Sequence, residues 1–391
     1  MSEYALDSEI TIGLALSGGG VRAAAFHAGV LHYLAEQHQL EKVIHVSSVS
    51  GGSLFMGLVL STAQYGWPSS SGYVSTVLPQ VKAILTTKSL QNSAILRLLF
   101  NPLNWQFLLS RANVVAKTIV ALWGIDAPLS SISKVPIWSI NGTTAETGRR
   151  FRFKSCGMGD YELGYADAST FSLASAMAVS AAFPGGIGPL AISTRDFQWF
   201  KKPHWDAPKE KLISNLPFKQ IHLYDGGLYD NLGIEPLFDI GTQLPKRAGT
   251  DQVNYIVVSD AGAALGRTSL PHRFNPFRFK RIADIALEQT RALRVRSFVN
   301  FLKRHPADGA YLQIGANPVE TIKRFMRGRE NIAERLLGMD WLQASAIETA
   351  AKYPTTLQRL AASDFDLLAR HGWETARWND KLLGRGYLNQ A

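Results

Sequence analysis

Two short apolar runs, each ending in a turn of glycine and serine and each followed by helix formers, constrain this chain more than any other feature. Ile12–Leu16 leads into Ser17-Gly18-Gly19-Gly20. Residues 22–37 then carry Phe26, Val30, Tyr33 and Leu34 at helical spacing. Residues 43–47 lead into Ser48-Val49-Ser50-Gly51-Gly52, and residues 54–60 open a second helix. Short apolar runs bounded by glycines read as buried strands. Strand, loop, helix, strand, turn, helix is the opening of a mainly parallel α/β sheet flanked by helices.

The 391 residues allow two or three domains, or one large domain with additions. At 46% hydrophobic and 18% charged, the composition suits a large core and argues against disorder. The longest charge-free stretch, 43–81, is interrupted by serines, glycines, Gln64 and Pro68, so it reads as strand, turn and helix instead of a membrane span. The acidic first residues lack a basic and then an apolar segment, so no signal peptide is expected. The expected setting is cytoplasmic, with peripheral contact on the inner face of the membrane. The net charge of +10 suits an anionic partner without choosing one. The single cysteine, Cys156, excludes an internal disulfide and reads as a small buried side chain.

Other segments read less uniquely. Residues 93–125 are rich in Leu, Ile, Trp and Phe but broken by Asn101, Pro102 and Arg111. They suit either core helices or an amphipathic flap over an apolar site. Residues 149–154 alternate basic and aromatic side chains like an exposed strand. Short strands are expected to end at Asp225 and at Asp260. After Gly266 basic residues predominate from Arg273 to Arg304, and the chain from Ile282 onward reads as mostly helical.

Three motifs carry chemistry. A serine between small residues at a strand-to-helix turn can serve as a nucleophile, because the following helix directs its N-terminal amides at it. Ser50 has Gly52 on one side, but Ser48 stands where Gly-x-Ser-x-Gly has its first glycine. Gly18, Gly19 and Gly20, followed by Arg22, suit an anion-binding loop or a tight turn. The loop lacks the Lys-Ser/Thr of a P-loop. Asp225-Gly226-Gly227 places an acid at a strand end, either in a pocket or simply in a turn.

In this order the motifs closely resemble those of the patatin-like phospholipase family: Gly-Gly-Gly-x-Arg, Gly-x-Ser-x-Gly, then Asp-Gly-Gly. Ser180-Ala181-Ala182-Phe183-Pro184 is similar to a further family segment, and Tyr353-Pro354-Thr355-Thr356-Leu357 to one seen late in bacterial members. The resemblance implies a patatin-like three-layer fold over residues 10–262, with 263–391 as a mostly helical extension packed on it. It implies a serine lipid acyl hydrolase with a Ser50–Asp225 dyad, an oxyanion hole at Gly18, Gly19 and Gly20, and support from Arg22, Gly52, Gly226 and Gly227. Arg22 would brace the glycine loop or meet a lipid phosphate. The substrate implied is a membrane phospholipid or another lipid ester, with no metal and no organic cofactor.

A Ser-Asp-His triad would need a histidine after Asp225, and His305 and His371 are the candidates. A non-catalytic lipid-binding protein on the same fold would be suggested only by Ser48. No helix-turn-helix, zinc finger or RNA-binding motif accompanies the basic run, so nucleic acid is not an expected partner.

Overall fold

The computed structural model describes residues 10–384 except 185, 203–207, 209–210, 247–251, 263–264, 267–271, 273–274 and 276. The N-terminal segment, His204 and Arg273 thus lie outside the described residues, as do the side chains of 277–280.

The first half runs β1 (Ile12–Leu16), α1 (Gly20–Glu36), β2 (Val43–Ser48), α2 (Gly51–Thr62), the single turn α3 (Ser70–Gly72), α4 (Leu78–Thr87), α5 (Leu90–Phe100), a 3-10 turn (Pro102–Phe107) and α6 (Ala112–Trp123). Then come β3 (Ile137–Thr144), β4 (Arg150–Lys154), β5 (Gly157–Asp160), β6 (Gly164–Ala166), α7 (Leu173–Ser180), β7 (Leu190–Ser193), β8 (Trp199–Lys201), β9 (Lys211–Ile213), β10 (Gln220–Asp225) and α8 (Gly227–Asp230). The rest comprises the small pair β11 (Phe238–Asp239) and β12 (Leu244–Pro245), β13 (Tyr255–Asp260), α9 (Phe277–Arg304), β14 (Gly309–Gln313), α10 (Pro318–Phe325), α11 (Glu330–Leu337), α12 (Ala344–Lys352) and α13 (Ala362–Leu383).

The central sheet has a parallel half, β14-β13-β1-β2-β3, continued antiparallel through β4, β5, β6, β8 and β9. Both faces of the parallel half are covered, as such sheets require. In β1, Leu14 and Leu16 pack into the core that holds α1, α2 and α13, whereas Ala15 joins Ile256, Val258, Phe298 and Phe301 beneath α9. This alternation gives the three layers. The region after residue 263 is mostly helical, yet its β14 joins the sheet beside β13. Its α13 crosses α1 closely: a Cβ on Gly29 would stand 1.8 Å from the Ala369 carbonyl oxygen.

Three expectations need correction. Residues 149–154 are not an exposed strand. β4 lies between β3 and β5, with Phe151 and Phe153 fully buried, because the sheet continues past β3. Cys156 is exposed, since it occupies the two-residue turn joining β4 to β5. Residues 93–125 are not uniform: α6 buries Val114, Val115 and Ile119, whereas α5 and the 3-10 turn expose Leu96, Leu99, Phe100, Leu103 and Trp105. No helix among the described residues is long and apolar enough to cross a membrane.

Candidate active site

The turn after β2 holds Ser50 at φ 50°, ψ −119°, a strained left-handed conformation that lifts its side chain clear of the strand. Gly52 is needed for space: a Cβ there would stand 2.5 Å from the Leu16 carbonyl oxygen. Ser48, the departure from the glycine pattern, is buried in a directed hydrogen-bond relay. Each hydroxyl has one hydrogen to give. Ser180 Oγ donates to the Asn141 carbonyl at 2.7 Å, so it accepts from Ser53 Oγ at 2.8 Å and from the Ser50 amide at 3.0 Å. Ser53 in turn accepts from Ser48 at 2.8 Å, and Ser48 Oγ accepts from Trp138 Nε1 at 2.8 Å. The serine hydroxyl thus takes a defined place where glycine would leave Trp138 without this partner.

Asp225 reaches the same point from the other direction. β10 runs antiparallel to β3, and Asp225 pairs with Gly142, two residues past the Ile140 that pairs with Ser48. Its carboxylate accepts from the Gly227 amide at 2.7 Å and lies beside the Ser50 hydroxyl. Burial pushes its pKa up to about 7, against both of these neighbours, which favour the ionised form. Gly226 is packed against β3, where a Cβ would stand 2.4 Å from the Asn141 carbonyl oxygen.

The glycine loop closes the site from the end of β1. Gly18 does not offer a free donor: its amide is bonded to the Asn231 carbonyl at 3.0 Å. The amides of Gly19, Gly20 and Gly51 have no hydrogen-bond acceptor among the described residues. Arg22 is buried at the cavity wall. It donates to the Ala261 carbonyl at 3.1 Å and the Tyr353 carbonyl at 2.5 Å, so it braces the loop. Burial lowers its pKa to about 10, which leaves it charged at neutral pH. His27 holds the loop from below. Its Nε2 donates to the Ser17 carbonyl at 3.0 Å, so its Nδ1 accepts from Ser259 Oγ at 2.7 Å. Burial lowers its pKa to about 4.

Ser50, Asp225 and the three glycines line one cavity of about 1130 Å³. The remaining wall is largely apolar: Leu90, Ala94, Ile95 and Leu98 from α5, Val114 and Val115 from α6, then Phe183 and Ile187. No histidine among the described residues lines it. His371 is buried against Phe26 and accepts from the Gly315 amide, and His305 stacks on Phe301 beside Asp308.

The patatin-like phospholipase family matches residues 14–238, more than half of the sequence. The chain belongs to that family. Structures of human GIVD cytosolic phospholipase A2 share the fold at 12% identity. One superposes with a TM-score of 0.54 over 95% of this chain and 61% of the human one. Another, in complex with methyl gamma-linolenyl fluorophosphonate, superposes at 0.51 over 96% and 59%. The chain thus spans about three fifths of the human chain it matches. Among curated proteins, none matches the sequence. Lipid acyl hydrolysis by a serine hydrolase is the general activity of that family.

Sequence reasoning passed over several residues at the site. Asn231 secures Gly18 through its carbonyl, and its Oδ1 sits between Gly18 and Gly227. It is six residues past Asp225 in the same turn, which was the available signal. Thr356 takes the Val21 amide at 2.9 Å and stands where a Gly20 Cβ would be. With Thr355 and Leu357 it lines the cavity, so the late Tyr353–Leu357 segment is part of the site wall. Part of the basic run is also internal: Arg291 is buried on Asp260 and Arg294 pairs with Asp230.

Proposed function

We propose that this chain hydrolyses carboxylic esters of membrane lipids through Ser50 and Asp225. The observation that carries the reading is Ser50 set beside the buried Asp225 carboxylate, both lining one largely apolar cavity. A carboxylate held near neutrality is suited to accept a proton at physiological pH. As Ser50 Oγ attacks the ester carbonyl carbon, Asp225 takes its proton. The carbonyl oxygen becomes an anion in reach of the open Gly19, Gly20 and Gly51 amides. Collapse of the tetrahedral species breaks the bond to the alcohol, which leaves with the proton from Asp225. Water then attacks the acyl-serine and gives its proton to Asp225, and collapse breaks the bond to Ser50 Oγ, which takes that proton back as the fatty acid departs.

At about 1130 Å³ the cavity slightly exceeds the roughly 300–1,000 Å³ typical of small-molecule sites, in keeping with a long acyl chain. The Ser48 relay supports a working elbow and removes the feature that favoured a silent lipid binder. Neither His305 nor His371 lines the cavity, which favours a dyad over a triad. Residues 10–262 form the catalytic unit in this reading and 263–391 an extension that completes its sheet and cavity, acting at the cytoplasmic face of a membrane.

Hydrolysis of a chromogenic short-chain ester and of phospholipid tests the reading. Ser50→Ala is expected to leave only background turnover, and Asp225→Asn to lose about 10²–10⁴-fold. Folded Ser50→Ala protein with wild-type turnover would overturn it.

A further inference from the structure

We infer that α5 and the 3-10 turn after it form the surface by which this chain docks on an anionic lipid bilayer, with the cavity mouth facing the lipid. Leu99, Phe100, Leu103 and Leu109 are 60%, 79%, 74% and 84% exposed, and Leu96 and Trp105 are exposed beside them. Soluble proteins rarely leave so many large apolar side chains contiguous without a partner. The patch is continuous with the cavity. Ile95 and Arg111 both line the cavity and are exposed, so they stand at its rim. The other wall has the same character: α9 lines the cavity with Arg281 and Asp284 and exposes Ile282 and Ile285 one position on.

Charge selects the occupant. No acidic residue occurs between Glu41 and Asp126, whereas Lys88, Arg97, Arg111 and Lys117 all fall on this segment. Lys88 and Lys117 are tied to the segment itself, by the Leu122 carbonyl and Asn104. Arg97 and Arg111 are exposed and have no side-chain partner among the described residues. On the α5 side the charges beside the apolar patch are all cations, which matches an anionic interface, where apolar side chains enter the acyl boundary and cations meet headgroups. A second copy docking through the same patch would bring like charges together, which disfavours self-association. The identity of the partner rests on the lipid hydrolase reading, but docking can be measured without turnover.

The experiment is co-sedimentation of full-length Ser50→Ala protein with phosphatidylcholine vesicles, with and without phosphatidylglycerol, at low and high salt. Binding is expected to the anionic vesicles, at least about tenfold tighter than to neutral ones and weakened by salt. Adding Phe100→Ser, Leu103→Ser and Leu109→Ser should abolish it. In the Ser50 background the same three changes should spare soluble-ester turnover within about twofold and cut vesicle hydrolysis at least about tenfold. Should the triple variant misfold, an environment-sensitive dye on Leu109→Cys in a Cys156→Ser protein should shift to the blue on anionic vesicles alone. Equal binding by the triple variant, no binding by the parent, or a dimer that the triple change dissociates would each overturn the docking assignment. Absence of ester turnover in the protein that keeps Ser50, with vesicle binding intact, would overturn the catalytic reading and leave docking standing.

Discussion

The elbow around Ser50 and the α5 segment are two walls of one cavity, and they follow opposite rules. The elbow buries polar groups and assigns a partner to the hydroxyl of Ser48, Ser53 and Ser180 in turn. The α5 segment does the reverse, leaving Phe100, Leu103 and Trp105 in solvent. Buried polar networks fix geometry when each member is satisfied. Apolar surface held on a short helix and a 3-10 turn adapts to a partner and contributes little to folding alone. In the proposed reading the contrast separates the reacting centre from its entrance.

The largest effect that sharpens the contrast is at Asp225. Its native pKa of about 7 lies above the ordinary 3.8, so the folded protein holds more protons than the unfolded chain between these values. Stability contributed there is therefore present at low pH and lost as pH rises through about 7. Asp225→Asn removes this cost. Its stability relative to wild type should grow from pH 4 to pH 8, approaching on the order of 4 kcal/mol. Denaturant melts at a series of pH values give the comparison, and a pH-independent difference would break it.

A smaller effect is expected in the relay. Ser48→Gly restores the common glycine pattern yet strips Trp138 Nε1 of its acceptor. It should cost about 1–3 kcal/mol, because a buried donor is left unpaired. A gain in stability on urea denaturation would show that the relay is incidental. The smallest effect belongs to the other wall. Trp105→Ala, at an exposed position, should change stability by no more than about 0.5 kcal/mol. A large drop in melting temperature would mean that α5 and its turn are core after all.

What was legible in the sequence follows from what a local pattern can encode. Ser50, Asp225 and the glycines could be read because a strained turn or a close approach restricts residue type at that position. Asn231, Ser180 and Thr356 contribute through contacts with distant segments, and only packing reveals these. The Ser180 segment had been noticed, but its role depends on Ser53 and Asn141, brought beside it by α2 and β3. Residues 149–154 misled because alternation shows that a strand has two faces without showing whether another strand lies beyond it. For the same reason the periodicity of 93–125 could not distinguish an apolar face covered by the core, as in α6, from one left open, as in α5.

The central claim is that Ser50 is activated by a carboxylate poised near neutral pH. An alkyl fluorophosphonate of the kind bound in the human enzyme tests it, with labelling rates followed by intact mass across a pH series. The expected result is one adduct per chain, on Ser50. Its rate should rise with pH to a plateau with a midpoint near 7 and fall about 10²–10⁴-fold in Asp225→Asn. An adduct on another residue, or a labelling rate unchanged by Asp225→Asn, would contradict it.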